Sequence, residues 1–423
     1  MVKVGISTSM FKMALGKPRL TTHSGDAGAS PRRGSVLAAV EALHNRASAP
    51  DGGVRRVIAI RAPSKPSHGD YMQREEIIGI CDREVLDTAS RLFGIRKDAL
   101  ELVAGYEGCA NLVYEYKRNR QPCILRISFR PDRTVEQIEA ELHFVNYLAE
   151  HGVRVSRPVS SQNGRQLETV QVRGMPLHIV SFVKGKGMRV PDNGYRYREG
   201  LPIEEYFQNW GRVLGQMHAL AKDYQPASGQ VKRPGWFEIH GSRLLIETQV
   251  PKRLPAVRAR IRSLFEEVQS LPKDQDAYGL IHGDFNDGNF TVDYTNGDMT
   301  IFDFDDCCYF WFIYELASAW EGGIGRVMFR GLEERQAFME HYMEQVMEGY
   351  NRENALSAAW LARLPLFVRL IQVEEFLHFV QYIDEPNEEM QAQLDYKIRC
   401  IEDDIPYMGF FDDIYSPERP FSL

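Results

Sequence analysis

The chain has 423 residues, of which 43% are apolar and 26% charged, values that are ordinary for globular domains and allow two or three packed units. The net charge of −7 is unevenly spread: residues 1–71 carry 11 Lys and Arg against 4 Asp and Glu, whereas residues 72–423 carry 40 against 54. The acidic body, residues 72–423, argues against nucleic-acid binding. No apolar run approaches the roughly 18 residues that a membrane helix needs.

Six cysteines are scattered at positions 81, 109, 123, 307, 308 and 400, without a CxxC pair and without a Cys/His spacing suited to zinc. Cys307 and Cys308 are neighbours in the chain, which is a poor geometry for a disulfide between them. The pattern indicates reduced thiols and therefore a cytoplasmic protein, and the residues after Lys3 do not form the apolar stretch of a secretory signal.

Residues 1–71 differ from the rest because they are rich in Gly, Ser, Ala, Pro and Arg, a composition that predicts a disordered basic extension. A tail that binds nucleic acid or membrane is the alternative, but low complexity explains the segment more simply. Regular patterns begin at Met72. They predict helices over 74–93 and 133–150 and strands over 100–106, 111–116, 121–129, 166–172 and 178–183.

The second half is predicted to be mainly helical, with helices over 206–221, 257–271 and most of 313–405. Two short apolar runs, 279–281 and 300–304, are predicted to be strands, and Asn296-Gly297 between them predicts a hairpin turn. His218 lies on an apolar helix face and is interpreted as a buried histidine with satisfied hydrogen bonds. The aromatic run 309–314 favours core packing over a role in lining an acceptor pocket.

The segment 280–306, LIHGDFNDGNFTVDYTNGDMTIFDFDD, combines the side chains that phosphoryl transfer requires. The reaction needs an acceptor hydroxyl held in line with the phosphate, a group that takes its proton, and magnesium to neutralise phosphate charge. Asp284 is the candidate base. Asn289 and Asp303 offer the hard oxygen ligands that magnesium prefers. His282 is expected to brace the loop by hydrogen bonding rather than to act as a base.

The pattern HGDxxxxN followed by DFD resembles the aminoglycoside phosphotransferase and choline kinase family, in which glycine follows the histidine where protein kinases have arginine. The resemblance implies an α+β, two-lobed, protein-kinase-like fold. The small lobe, residues 72–183, would hold a five-stranded antiparallel sheet with one main helix, and the large lobe, residues 184–423, would be mainly helical. ATP or GTP and Mg²⁺ would bind in the cleft, with Asp284 as catalytic base and Asn289 and Asp303 as metal ligands.

By the same resemblance Arg126, in the strand ILRIS, takes the position of the family's phosphate-binding lysine. This departure matters because Arg and Lys bind phosphate differently, although Arg126 still supplies positive charge. Glu141, on the following helix, matches the glutamate that pairs with the strand cation, and Glu139 is less suited to face the sheet. The alternatives are a surface cation on an edge strand for Arg126 and an exposed helix charge for Glu141.

Gly105 and Gly108 lie in a turn at the position of the family's phosphate-covering loop, where backbone amides would reach the triphosphate, but a plain hairpin turn explains these glycines equally well. Ser181 and Val183 fall at the position of the inter-lobe linker, whose backbone groups hold the nucleotide base in this family. Glu315, in Glu-Leu-Ala, takes the place of a common Asp-Leu-Ala and is expected to begin a helix.

The sequence therefore predicts a phosphotransferase that moves the γ-phosphoryl group of ATP or GTP to a hydroxyl of a small molecule, such as an aminoglycoside or an amino alcohol. The acidic body suits a cationic acceptor better than an anionic one. Two other functions stay open: a protein Ser/Thr kinase on the same scaffold, and a non-catalytic nucleotide-binding module, which only the departure at Arg126 suggests. The sequence identifies neither the acceptor nor the oligomeric state.

Overall fold

The computed structural model describes residues 79–80, 84–103, 111–128, 133–243, 246–327, 330–382 and 386–404. The predicted extension 1–71 lies outside these ranges, and so does the predicted turn with Gly105 and Gly108. No helix in the described ranges has the length and hydropathy of a membrane-spanning segment.

The described chain is rich in strands in its first part and in helices in its second part, which confirms the predicted α+β class. The strands are β1 Glu101–Leu102, β2 Asn111–Arg118, β3 Gln121–Ser128, β4 Pro158–Val159, β5 Leu167–Val172, β6 Met175–Val183, β7 Tyr278–Ile281, β8 Phe290–Asp293, β9 Asp298–Ile301 and β10 Cys308–Trp311. The helices are α1 Leu86–Phe93, α2 Val135–Glu150, α3 Ile203–Ala221, α4 Trp236–Arg243, α5 Ile246–Gln249, α6 Pro255–Gln269, α7 Ile313–Val327, α8 Leu332–Tyr350, α9 Ala358–Leu361, α10 Leu364–Tyr382 and α11 Glu388–Glu402.

The first six strands form one antiparallel sheet in the order β1-β2-β3-β6-β4, with β5 also paired to β6. The prediction of five strands was wrong, because β4 has only two residues, too few to show the alternation by which a strand is recognised. The strand predicted over 100–106 appears only as β1, and residues 104–110 lie outside the described ranges.

Helix α2 packs against this sheet and places its charged side chains. It begins where Thr134 Oγ1 accepts a hydrogen bond from the Gln137 amide at 3.3 Å, so that a polar side chain caps a free backbone donor. Ile138 and Leu142 form a hydrophobic cluster with side chains of β5 and β6. This packing turns Glu141 toward β3.

Two separate two-stranded sheets carry the His-Gly-Asp segment. The turn at Asn296-Gly297 is confirmed, but it joins β8 to β9, with Phe290 opposite Ile301. The predicted hairpin between 279–281 and 300–304 was wrong, since β7 pairs with β10 instead. The physical reason is that β8 directly precedes the turn and pairs with β9 along its whole length.

Helices α3 and α8 approach each other closely at glycines of α3. A Cβ atom on Gly211 would lie 1.9 Å from the Val346 carbonyl oxygen, and one on Gly215 would lie 2.6 Å from that of Tyr350. The two backbones come this close because both positions lack a side chain. The packing brings the Tyr350 hydroxyl to 2.9 Å from Nδ1 of His218, which is fully buried as predicted.

The aromatic run 309–314 occupies β10 and the start of α7. Phe310, Trp311 and Phe312 are at most 1% exposed, and the Phe310 ring stacks on Trp236 with centroids 5.0 Å apart. The prediction of core packing is therefore confirmed.

Candidate active site

His282 fastens the loop after β7 to the neighbouring hairpin. Its Nδ1 accepts a hydrogen bond from the Asp284 amide at 3.2 Å, so Nε2 carries the proton and donates to the Phe302 carbonyl oxygen at 3.0 Å. Burial lowers the pKa of His282, whose exposed fraction is 1%, and this keeps the imidazole neutral. The structure confirms that His282 braces the loop.

Gly283 allows the loop to lie directly on the turn Phe304–Asp306, called the acidic turn, that follows β9. Its φ is +85°, and a Cβ atom would lie 2.3 Å from the Asp306 carbonyl oxygen. Its amide donates to Glu315 Oε1 at 3.0 Å, and the other oxygen of Glu315 lies 2.7 Å from His218 Nε2. Glu315 lies in the first turn of α7 as expected, but it also holds the motif in place.

The carboxylate of Asp284 is held by amide groups of its own loop. Asn286 Nδ2 donates to Asp284 Oδ1 at 2.7 Å, and Asn289 Nδ2 donates to Asp284 Oδ2 at 3.1 Å. Asn289 Nδ2 also lies 2.8 Å from the Asp284 carbonyl oxygen. Because both contacts use Nδ2, the amide oxygen of Asn289 is the atom that can face a cation. The candidate base and the first candidate ligand are thus in direct contact.

The hairpin brings Asp303 to the same place. The Phe302 amide donates to the Asn289 carbonyl oxygen at 2.9 Å, so the strands stay together at the end opposite their turn. Asp303 then adopts a left-handed conformation, with φ +68°, and leads into the 3-10 turn Phe304–Asp306. Asn289 and Asp303 therefore flank the open end of one hairpin, and Asp284 contacts Asn289 there.

The carboxylate of Asp303 lies among more negative than positive charge. Although 44% of the Asp303 side chain is exposed, withdrawal from bulk water raises its pKa well above the usual range. The carboxylate of Asp305 raises the pKa further, and the guanidinium of Arg126 opposes the rise. An excess of carboxylate at the end of the hairpin is what a divalent cation would offset.

Magnesium suits this donor set. In the described ranges no three His, Cys, Asp or Glu side chains converge to hold a metal by themselves. Asn289 and Asp303 supply one amide oxygen and one carboxylate, and magnesium commonly takes one or two protein oxygens while phosphate oxygens and water complete its shell. The residues present therefore fit a magnesium ion that arrives with a nucleotide.

Arg126 and Glu141 form a buried ion pair beside this group. Arg126 Nη2 lies 2.9 Å from Glu141 Oε2, and the two residues are 6% and 1% exposed. Arg126 Nη1 lies 4.0 Å from Asp303 Oδ1, and its guanidinium carbon lies 5.2 Å from the centre of the Phe182 ring. Burial and pairing are inconsistent with both alternatives, the surface cation and the exposed helix charge.

Ser181 and Val183 lie at the end of β6, inside the sheet. Ser181 pairs with Leu125 of β3, and its buried hydroxyl lies 2.6 Å from the Tyr116 hydroxyl. The Val183 amide donates to the Arg157 carbonyl oxygen at 2.9 Å. A nucleotide base would have to compete for that amide, so the assignment of both residues to base binding stays a prediction.

The acidic turn is tied to the rest of the chain by contacts that sequence reasoning missed. Asn111 Nδ2 of β2 donates to Asp305 Oδ2 at 3.1 Å, and Arg133 pairs with Asp306. Arg233 donates to backbone carbonyl groups of the same turn. These partners are far apart in the chain, so no spacing reveals them. Asn286, by contrast, lies within the HGDxxxxN motif, so the sequence could have identified its side-chain amide as a partner of Asp284.

Comparison with known proteins identifies relatives along most of the chain. A family model described as the phosphotransferase enzyme family matches residues 104–356. The amicoumacin kinase of Bacillus subtilis (strain 168) is 32% identical over 335 residues, which cover 78% of this chain and 94% of that protein. A homoserine kinase of Rhodopseudomonas palustris (strain TIE-1) is 28% identical over 237 residues, which cover 54% of this chain and 63% of that protein.

Solved structures share the fold. An amicoumacin kinase in complex with AMP-PNP, Ca²⁺ and Ami matches with a TM-score of 0.70 and 29% identity, over 80% of this chain and 98% of that chain. A microcompartment-associated aminopropanol kinase matches with a TM-score of 0.58 and 23% identity, over 76% of this chain and 98% of that chain, which supports the fold alone. The predicted two-lobed, kinase-like fold is confirmed.

Proposed function

Since the chain belongs to the phosphotransferase enzyme family, we propose that it transfers the γ-phosphoryl group of ATP or GTP to a hydroxyl of an amine-bearing small molecule, with Asp284 as the base. The observation that carries the proposal is the contact of Asp284 with Asn289 at the end of the hairpin that also bears Asp303. One short stretch of chain then supplies a base and two hard oxygen donors.

Asp284 accepts the proton of the acceptor hydroxyl and orients that hydroxyl toward the phosphate. The two amide groups that bind its carboxylate, from Asn286 and Asn289, hold one oxygen each and fix the plane of the carboxylate. A base that is held in this way needs no rearrangement when the hydroxyl approaches, and positioning is the main demand of phosphoryl transfer.

Asn289 and Asp303 would hold magnesium, which neutralises charge on the transferred phosphate when it is bound. Arg126, fixed by Glu141, supplies a second positive charge for the phosphates. The Glu141 carboxylate also fixes the orientation of the planar Arg126 guanidinium. The loop with Gly105 and Gly108 and the strand end with Ser181 and Val183 belong to the proposal as contacts to triphosphate and base.

The proposed acceptor is a hydroxyl compound with an amino group, such as an aminoglycoside or an amino alcohol. Two observations support it: the net charge of the chain is −7, and its relatives include kinases of amicoumacin and homoserine. The proposal retains residues 72–183 as the nucleotide-binding lobe and 184–423 as the lobe with the catalytic and acceptor sites. It also places the protein in the cytoplasm, where nucleoside triphosphates are abundant.

The proposal is tested by measuring the transfer of labelled phosphate from ATP and GTP to a panel of possible acceptors. The panel contains amicoumacin, homoserine, amino alcohols and aminoglycosides. Asp284→Asn keeps the size of the side chain and should lower kcat by about 10²–10⁴-fold, because the base is lost. Asp298→Asn is the matched control, since Asp298 lies at the turn end of the same hairpin. Turnover that survives Asp284→Asn, or label that enters only a protein substrate, would reject the proposal.

A further inference from the structure

Arg233 lies in the Pro- and Gly-rich connector between α3 and α4, and only 3% of it is exposed. Its Nε donates to the Cys307 carbonyl oxygen at 2.7 Å, Nη1 to that of Gln137 at 3.1 Å, and Nη2 to that of Asp305 at 2.8 Å. All three acceptors are main-chain oxygens. The contacts therefore fix the course of the backbone in two distant segments.

One segment carries Glu141, the partner of the proposed phosphate ligand Arg126, and the other directly follows the proposed metal ligand Asp303. Gln137 is one helical turn before Glu141 in α2, and Asp305 and Cys307 closely follow Asp303. A guanidinium is a rigid planar fork, so one group that binds both segments fixes their distance and relative angle. Removal of the fork would take away the three hydrogen bonds that join the two segments and would free them to move apart.

The connector follows α2 beyond this point. Gln230 Nε2 donates to the Glu139 carbonyl oxygen at 3.1 Å, and the Tyr224 hydroxyl lies 2.8 Å from His143 Nδ1. The connector thus contacts α2 from Gln137 to His143, nearly two helical turns. Arg233 is the member of this set that also reaches the acidic turn.

We propose that Arg233 is a positioning residue for the magnesium–nucleotide complex, which locks α2 to the turn after Asp303. The lock sets the Arg126–Glu141 pair and the metal ligand in register before the nucleotide binds. This inference rests on the proposed function, because it takes Asp303 and Arg126 as ligands of magnesium and phosphate. Arg233 touches neither and acts only through the two segments.

A loosened register reduces the fraction of protein that is ready to bind, and the apparent dissociation constant rises by the inverse of that fraction. Affinity for the metal–nucleotide complex is therefore the property that should change most. Non-hydrolysable AMP-PNP with Mg²⁺ measures it by titration calorimetry on the full chain, without any need to know the acceptor.

Arg233→Met removes the donors at nearly constant volume, and Arg233→Lys keeps the charge without the fork. Arg258→Met is the matched control, because Arg258 is also buried, at 8% exposed, and its Nη1 donates to the Val250 carbonyl oxygen in the helical region at 3.2 Å. We expect Arg233→Met to weaken Mg²⁺·AMP-PNP binding about 10-fold or more and to raise the Mg²⁺ concentration for half-maximal binding. Arg233→Lys should lie in between, and Arg258→Met within about twofold of wild type.

Wild-type affinity in Arg233→Lys and Arg233→Met, or an equal loss in Arg258→Met, would overturn the inference. If Arg233→Met does not fold, the affinity of Arg233→Lys still tests the inference. Thermal unfolding midpoints measured without nucleotide show at which temperature all variants are folded. Asp303→Asn separates the two levels of argument. If it binds Mg²⁺·AMP-PNP normally, the proposed site is wrong, whereas weak binding by Asp303→Asn alone would reject only the role of Arg233.

Discussion

Replacement of Gly283 by alanine tests how tightly the catalytic loop packs on the acidic turn. Gly283 has a φ of +85°, and an added Cβ would lie 2.3 Å from the Asp306 carbonyl oxygen and 2.9 Å from its carbonyl carbon. The left-handed backbone costs a non-glycine residue about 1–2 kcal/mol. Relief of the overlap costs about 1–3 kcal/mol more, because the atoms it meets are backbone atoms and cannot rotate away. Gly283→Ala should therefore lower the free energy of unfolding by about 2–5 kcal/mol.

Gly174 supplies the matched control. It lies in the turn between β5 and β6 with a φ of +80°, and an added Cβ would meet nothing within 4 Å. Gly174→Ala should therefore cost only the backbone term of about 1–2 kcal/mol. Urea unfolding of both variants gives the difference, and Mg²⁺·AMP-PNP affinity should fall for Gly283→Ala alone, since its overlap displaces the turn after Asp303. Equal losses of stability and equal affinities would refute the close packing.

Three further predictions concern charged groups and hydrogen bonds. Glu141→Ala should lower the free energy of unfolding by about 3–5 kcal/mol, because it removes the carboxylate that lies 2.9 Å from the buried Arg126 guanidinium, whereas the exposed Glu139→Ala should change little in the same urea titration. Tyr350→Phe breaks the bond to the buried histidine of α3 and should cost about 1–3 kcal/mol. Tyr342→Phe on the same helix, where the hydroxyl has no hydrogen bond among the described residues, should cost less. Because its pKa is raised, Asp303 keeps a proton to higher pH, so binding of Mg²⁺·AMP-PNP should release up to about one proton and tighten as pH rises toward that pKa. Calorimetry in two buffers of different ionisation enthalpy measures the release, and its absence at every pH would contradict the raised pKa.

The part of the site that could be predicted is local in the chain. Asp284 and Asn289 share one loop, and a single hairpin connects them to Asp303, so residue type and spacing were enough to group them. The pairing of Arg126 with Glu141 spans only one strand-to-helix connection, and the exposure of Glu139 agrees with the preference for Glu141. In each case few residues separate the partners, which limits the arrangements that the chain can adopt.

What could not be predicted depends on distant partners. The spacing of HGDxxxxN does not show that Gly283 is pressed against the Asp306 carbonyl, because that contact arises from the pairing of β7 with β10. That pairing was itself mispredicted, since a short apolar run is compatible with several partner strands. Arg233 gave no signal either, because its acceptors are main-chain oxygens, which every residue type carries.

The cations of the site suggest why arginine stands where the family has lysine. Arg126, Arg133 and Arg233 are 6%, 5% and 3% exposed, and they come from β3, from the residues before α2 and from the connector. Arg133 pairs with Asp306, Arg233 binds the backbone of the same turn, and Arg126 lies 4.0 Å from Asp303. Carboxylates that lie close together to bind a divalent cation repel one another until the cation binds. Buried guanidinium groups offset that repulsion and also fix geometry through their planar forks, whereas a lysine would supply charge without direction. Among the described residues, Arg126 is thus one of several buried guanidinium groups beside these carboxylates, so the change from lysine does not by itself argue against phosphate binding.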